Sequence, residues 1–343
     1  MACPYCYTKS ILPVYHCPKC NEKHDRLWPG PYGILKRTCK CGEKLPTTFF
    51  NGRNRLTASC PSCENIIESL EARPVAIPII GAPSVGKTFF LFSMVYYMKE
   101  IFAKKNGYTF EFMNVANKSL YDASISSLNA GMTLRKTTEN DPVALNFFLS
   151  MNRSKSIFYF YDSAGEAFAS TESLARHKFY HYFHGLIFII DPFSIPAVYH
   201  QYESQLTTNP DIKPSSAPLE DVYGALIINI EKNYGVKVTE KITKPVAIAF
   251  SKIDAFDLQY VLGDDAVTKL LATDYTIKTE EEARQKVCKT FLENNNMGAL
   301  ARKMEWKFPN SRYFTIHSNG EKSVGIDKLT AWFLGEIDKS YRI

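Results

Sequence analysis

Val75-Ala76-Ile77-Pro78-Ile79-Ile80 runs directly into Gly81-Ala82-Pro83-Ser84-Val85-Gly86-Lys87-Thr88, and an apolar stretch follows to about Phe102. The first six residues have the continuous apolar character of a strand buried on both faces. The next eight spell G-x4-G-K-T, and the remainder has the length of a helix. A strand that turns through glycines into a helix start aims several backbone N–H groups at one spot, where the helix dipole also favours negative charge. That is a cradle for phosphate. In it, Gly81, Ser84, Val85, Gly86, Lys87, Thr88 and Phe89 are the candidate nucleotide contacts. Lys87 is expected to reach the β and γ phosphates, and the Thr88 hydroxyl to ligate Mg2+. The plain alternative, an ordinary helix N-terminus, leaves the spacing of the two glycines, the lysine and the threonine unexplained.

Further along, other apolar strands end in polar motifs. Ser156 to Tyr161 leads to Asp162-Ser163-Ala164-Gly165-Glu166, and Gly185 to Ile190 ends at Asp191-Pro192. Pro245 to Phe250 precedes Ser251-Lys252-Ile253-Asp254, and Tyr313-Phe314-Thr315-Ile316 precedes His317-Ser318-Asn319-Gly320. A carboxylate at Asp254 suits guanine, which offers N1–H and a 2-amino group side by side; adenine would leave it unpaired. The series, in this order, resembles the Ras-like P-loop GTPases over roughly residues 75–343. The resemblance implies an α/β fold with a mostly parallel sheet flanked by helices, and GTP or GDP with Mg2+ as cofactors. It implies that Asp162 holds Mg2+ through water and that the Gly165 N–H meets the γ-phosphate. The Lys252 stem would cover the base, and Ser318 and Asn319 would lie at the guanine oxygen. Ser251 departs from the family's [NT]-K-x-D, and only the serine of its S-A-[KL] loop is matched. Ser-Asn-Gly is also a plain turn. With its cysteine-rich start, the chain also looks like the bacterial double-GTPase group.

Val143 to Leu149 reads as a second strand, pairing with Ser156–Tyr161 across Asn152-Arg153-Ser154-Lys155. Just upstream is Leu134-Arg135-Lys136-Thr137-Thr138-Glu139. By resemblance Thr138 is the switch threonine on Mg2+ and γ-phosphate, with Thr137 as its substitute. Arg135 matches the in-cis arginine of heterotrimeric G-protein α subunits; a solvated basic loop is the blander reading. Glu166 stands where the family has a water-orienting Gln, and puts a negative charge near the γ-phosphate. Pro83 removes one N–H from the phosphate loop. Lys87, Glu166, Arg135 and Gly165 are therefore the candidate catalytic groups, with slow, partner-dependent hydrolysis expected. Residues 115–136 read as a helix inside the switch segment, Leu219–Asn233 and stretches of 255–310 as further helices, and Gly325 to Lys339 as a closing helix. His177, His181 and His184 share helical spacing and are expected on a switch II helix; the carboxylate of a zinc-protease motif is missing.

The first fifth of the chain differs. Eight of nine cysteines lie there, as Cys3/Cys6, Cys17/Cys20, Cys39/Cys41 and Cys60/Cys63. Close cysteine pairs on tight turns present thiolates to a tetrahedral zinc ion. Disulfides are disfavoured in a chain without a signal peptide, because the cytosol keeps thiols reduced. Two Zn2+ and two zinc ribbons are expected, residues 1–33 and 34–72, before a GTPase domain at 73–343. The simplest ligation is sequential, Cys3, Cys6, Cys17 and Cys20 on one ion and Cys39, Cys41, Cys60 and Cys63 on the other; a cross-braced pairing stays open. About 70 residues rich in polar positions cannot build much core, so metal supplies the missing folding energy.

The chain has 343 residues and a formal charge of +6, with 45% hydrophobic and 22% charged residues, which excludes wholesale disorder. No apolar run suits a membrane span, and a cytoplasmic location is expected. Ten Lys/Arg against five acids place +5 in residues 1–70. A four-thiolate zinc centre carries −2, so two of them bring the chain to about +2. Charge alone then ceases to argue for nucleic acid, and a protein partner for the ribbons and switch regions is preferred. The leading reading is a GTP-dependent switch. A nucleic-acid-binding GTPase and a non-hydrolysing nucleotide-binding scaffold are the alternatives.

Overall fold

The computed structural model describes residues 3, 12–31, 33–67, 72–132, 134, 143–152, 154–162, 183–318 and 320–342. In the N-terminal module, β1 (Val14–His16), β2 (Lys23–His24), β5 (Ala58–Ser59) and β6 (Ile66–Ile67) form one antiparallel sheet in the order β2-β1-β5-β6. A separate hairpin joins β3 (Lys36–Thr38) to β4 (Lys44–Pro46). Each hairpin turn carries one cysteine pair, and the β1–β2 and β5–β6 turns are built alike. The Cys17 N–H donates to the Glu22 carbonyl at 3.0 Å and the Cys60 N–H to the Asn65 carbonyl at 2.9 Å. Asn21 and Glu64, each four residues past the first cysteine, both take a positive φ, 57° and 61°. The buried apolar side chains under these turns are few, chiefly Tyr15, Leu27, Leu45 and Ala58.

Two expectations are corrected by this topology. The boundary at 33/34 falls inside one unit, because β1 pairs with β5 across it. The cysteine pairing is nested and not sequential. Since β1 and β5 are antiparallel, Tyr15 opposite Ala58, the turns following them leave from opposite ends of the sheet. Cys17 and Cys20 therefore gather with Cys39 and Cys41, while Cys60 and Cys63 gather with Cys3. Cys6 lies outside the described residues.

The larger unit is a seven-stranded sheet in the order β13-β12-β11-β7-β10-β9-β8 among the described residues. Its centre is β7 (Arg73–Ile80). On one side lie β11 (Leu186–Ile190), β12 (Val246–Phe250) and β13 (Ser311–Thr315), all parallel. On the other, β10 (Ser154–Asp162) is parallel to β7, and β9 (Val143–Met151) and β8 (Thr109–Phe112) follow antiparallel. Every residue of β11 and β12 is buried, which is why these strands read as unbroken apolar runs. The edge strand β8 has no such signal; it is four residues long, and Phe110 stacks on Phe147 of β9 at 4.4 Å between ring centres.

Helices flank the sheet. α1 (Lys87–Tyr96) follows the phosphate loop and passes through a π-helical segment, Tyr97–Phe102, before ending at Asn106. The expected helix in the switch segment is Val115–Asn129, started by the Asn114 side chain accepting from the Asn117 N–H. Helices Leu219–Tyr234 and Ile326–Ile337 match expectation.

His184 is placed differently from expectation. It sits just ahead of β11, where its N–H donates to the Ala76 carbonyl and its Nδ1 accepts from the Ala76 N–H, each at 3.0 Å. His177 and His181 lie outside the described residues. Burial, with help from the Lys244 and Arg73 charges, depresses the His184 pKa from 6.5 to about 4. A depressed histidine pKa gives stability that is present above the unfolded value and lost as pH falls towards the folded one, here between about 6.5 and 4. The loss is expected to reach at most about 3 kcal/mol. Urea unfolding at pH 7 and near pH 4.5 measures it. His184→Gln, whose amide oxygen can still accept from Ala76, should flatten the dependence; an equally steep one would contradict the assignment.

Candidate functional site

The parallel register brings the sequence motifs to one edge. Asp162 stands opposite Ile79, two residues before Gly81; Phe250 stands opposite Ile190 and Thr315 opposite Phe250. The phosphate loop, residues 191, 251–254 and 316–318 therefore all leave the carboxyl ends of neighbouring strands. The chain crosses from one side of β7 to the other at this edge, the switch point at which open α/β sheets bind ligands.

Two glycines shape the loop for different reasons. A Cβ on Gly81 would lie 2.5 Å from the Ile189 carbonyl oxygen and 2.9 Å from Val85 Cγ2, so only glycine lets β7 end this close to β11. Gly86 precedes α1 with φ 92° and ψ 21°, a left-handed conformation that costs glycine little. Ser84 also takes a positive φ, 63°. The Lys87 ammonium is buried inside the loop and donates to the Gly81 and Ala82 carbonyls at 2.9 and 2.8 Å. The loop thus holds a cation at its centre. Gly81→Ala is expected to cost about 2 kcal/mol or more, because backbone on both sides must move; an unchanged denaturation midpoint would contradict this.

At the other end of the edge, Asp254 is about half exposed, and its Oδ1 lies 2.7 Å from His317 Nδ1. Burial pushes the Asp254 carboxyl up, but the His317 hydrogen bond and charge, with Lys252 behind them, outweigh it and hold the group below its ordinary value. It is poised as an acceptor. Ser251 is buried and donates through Oγ to the Ile190 carbonyl at 3.2 Å, which ties β12 to β11. Lys252 has φ 56° and extends its ammonium to Asp191 Oδ2 and the Lys213 carbonyl, both at 2.6 Å. Only its stem is left for a base.

Asp191 and His317 were not singled out by sequence. Asp191 is fully buried and accepts from the Phe193 and Ser215 N–H groups, both at 2.9 Å, besides Lys252. An acid closing an all-apolar strand was a signal that a cation must be near. Ser318 is half-buried at the end of the base-side loop. Gly320, just beyond, donates to Ser93 Oγ of α1 at 3.1 Å, which anchors that loop to the helix carrying Lys87. Arg135, Thr137, Thr138, Gly165, Glu166 and Asn319 lie outside the described residues, as does the Asp162 side chain.

The cysteine clusters meet the test for zinc. Zn–S bonds of about 2.3 Å in a tetrahedron require sulfurs about 3.7 Å apart, against about 2.05 Å in a disulfide. Cys17–Cys41 and Cys20–Cys39 are each 3.6 Å apart, and Cys3–Cys63 3.7 Å. All ligand atoms within each group lie inside 4.8 Å. Each group brings its sulfurs close enough together that it could hold one metal ion.

Strand order and phosphate loop together give the chain an open α/β fold, a mostly parallel sheet flanked by helices with a glycine-shaped loop at its carboxyl edge, preceded by a cysteine-rich module. No protein-family profile matches the chain, and no curated protein matches it. Among solved structures it is similar to the GDP-bound RocCORdC structure of Methanosarcina barkeri Roco2, at 12% identity and a TM-score of 0.34, over 78% of this chain. The chain spans 50% of the length of that structure. A likeness that distant says nothing about activity. No helix among the described residues is long and apolar enough to cross a membrane.

Proposed function

We propose that residues 73–343 bind GTP and GDP with Mg2+ and act as a molecular switch with slow, partner-dependent hydrolysis. The observation that carries this is the joint placement, on one sheet edge, of a glycine-shaped loop around a buried lysine and a carboxylate, Asp254, held ionised by His317. Lys87 exchanges its two carbonyl partners for β and γ phosphate oxygens. Asp254 accepts from guanine N1–H and the 2-amino group, His317 fixing its orientation, while the Lys252 stem lies along the base. Ser318 and Asn319 border the guanine oxygen.

Thr88, Thr138 and Asp162 would hold Mg2+, which supplies charge neutralisation at the phosphates. Arg135 and the Gly165 N–H address the γ-phosphate. Glu166 orients water less favourably than the amide of a glutamine, because its charge opposes that of the phosphate. Single-turnover hydrolysis by the purified chain tests this. The expected rate is on the order of the slow intrinsic switches, below about 10⁻² s⁻¹. A fast rate without partner, unaffected by Glu166→Gln or Arg135→Ala, would remove the proposal of a partner-dependent switch.

A further inference from the structure

The β3–β4 hairpin has two unlike ends. Its turn carries Cys39 and Cys41, and its open end carries large apolar side chains that are exposed. Phe50 is 101% exposed, Ile34 73%, Leu35 61% and Phe49 54%. They form one tip because backbone bonds tie their segments together. The Leu35 carbonyl accepts from the Thr47 N–H at 3.1 Å and from Asn51 Nδ2, and the Ile34 carbonyl accepts from Thr47 Oγ1 at 2.7 Å. The tip stands on a firm base. The Arg53 guanidinium lies over the Tyr15 and Trp28 rings and donates to the Leu27 and Thr47 carbonyls, both at 3.0 Å.

The charge around the tip is one-sided. Residues 26–55 contain seven Lys/Arg and one acid, a formal +6 equal to that of the whole chain. The −2 of a thiolate centre leaves about +4. Two lysines of the module are paired, Lys23 with Glu64 and Lys40 with Glu22. Arg26, Lys36, Lys44 and Arg55 are exposed and have no ion-pair partner among the described residues. Lys36 and Lys44 share the solvent face of the hairpin, since Leu45 and its partner Arg37 occupy the other.

We propose that this tip docks on an anionic lipid bilayer, with the four apolar side chains entering the boundary of the acyl chains and the four cations lying among headgroup phosphates. Two features select a bilayer over other polyanions. Ile34 and Leu35 cannot stack on bases, so a nucleic acid would leave half the apolar tip in contact with sugar and phosphate. An apolar tip on a hairpin whose solvent face carries Lys36 beside the open end and Lys44 farther back also matches the layering of a membrane surface, apolar below and anionic above. Either signal alone gives marginal binding, and the two together give stable but reversible association.

Co-sedimentation of the full, zinc-loaded chain with vesicles tests this. Binding to phosphatidylcholine vesicles containing about 30 mol% phosphatidylserine is expected to exceed binding to phosphatidylcholine alone by at least about tenfold, and to weaken with salt. The paired substitutions Phe49→Ser with Phe50→Ser, and Lys36→Glu with Lys44→Glu, should each lower it by about tenfold or more. Both pairs are exposed, and retention of two zinc ions per chain shows that the module is still folded. No binding to the anionic vesicles would overturn the proposal. So would binding indifferent to the phenylalanine pair in zinc-loaded protein, or preferential capture by a single-stranded oligonucleotide or an acidic peptide.

Discussion

Lys87→Ala is expected to lower affinity for GTP and GDP by about a hundredfold or more. The Lys87 ammonium is almost fully buried, 7% exposed, and sits where the loop's carbonyls converge. A hydrogen bond from a buried cation to an anion is worth up to about 3 kcal/mol, which corresponds to roughly a hundredfold in a dissociation constant. In the phosphate-free loop the same ammonium satisfies two carbonyls, so alanine also costs about 1–3 kcal/mol of stability. The two effects separate in a thermal-shift measurement. Saturation with GDP at about 100 times its dissociation constant stabilises a binding-competent chain by about 2.7 kcal/mol. The variant should melt at a lower temperature and gain at most about 0.4 kcal/mol from the same GDP concentration. A wild-type shift in the variant would mean that the loop does not use Lys87 for phosphate.

The second large effect is loss of metal. Removing zinc with a chelator is expected to unfold the N-terminal module, while the seven-stranded domain keeps its fold. The larger domain buries a continuous core from Val75 to Tyr341, whereas the module relies on two small clusters that include its own cysteines. Structural zinc contributes on the order of 10–16 kcal/mol in zinc-finger peptides, far more than such clusters supply. Native mass spectrometry should find two zinc ions per chain. Cys39→Ser should leave one, still held by the group that contains Cys3, Cys60 and Cys63. Sequential pairing predicts that Cys17→Ser and Cys39→Ser affect different ions; the nested arrangement predicts that they affect the same one. A metal-free module with an unchanged melting profile would contradict the zinc assignment.

What could be read in advance followed from how local each signal is. The phosphate loop is written in eight consecutive residues, and the strands beside it are apolar along their whole length, so loop, strand and helix were legible together. Asp254 was legible as an acceptor because its motif follows a buried strand. The commitments of Lys252 were not, since Asp191 lies 61 residues away and Lys213 in an insertion. The zinc pairing escaped for the same reason. Four similar cysteine pairs carry no label, and the choice among them is made by β1 pairing with β5 across more than forty residues. His184 was misplaced because histidines at helical spacing look alike whether or not the helix continues, and only the Ala76 backbone shows that the last of them belongs to the sheet. The edge strand β8 is too short to have a period.

The charge of the chain acquires a location from the structure. Summed over the sequence and reduced by thiolates, it argued for little; in place, Lys36 and Lys44 lie on one face of the hairpin whose open end carries four exposed apolar side chains. A switch whose ribbon module touches a membrane surface would act at that surface, which is a constraint on where any partner is met.

Guanine recognition through Asp254 is the central claim, and calorimetric titration of the zinc-loaded chain with GDP, ADP and XDP in the presence of Mg2+ tests it most directly. Asp254 should give GDP an advantage of at least about a hundredfold over ADP, because a bound base covers this half-exposed carboxylate and adenine would leave it unpaired. Asp254→Asn should erase that advantage and favour XDP, whose 2-oxo group can accept from the new amide. Equal affinity for GDP and ADP in the unaltered protein, or a preference for GDP that survives Asp254→Asn, would contradict the account.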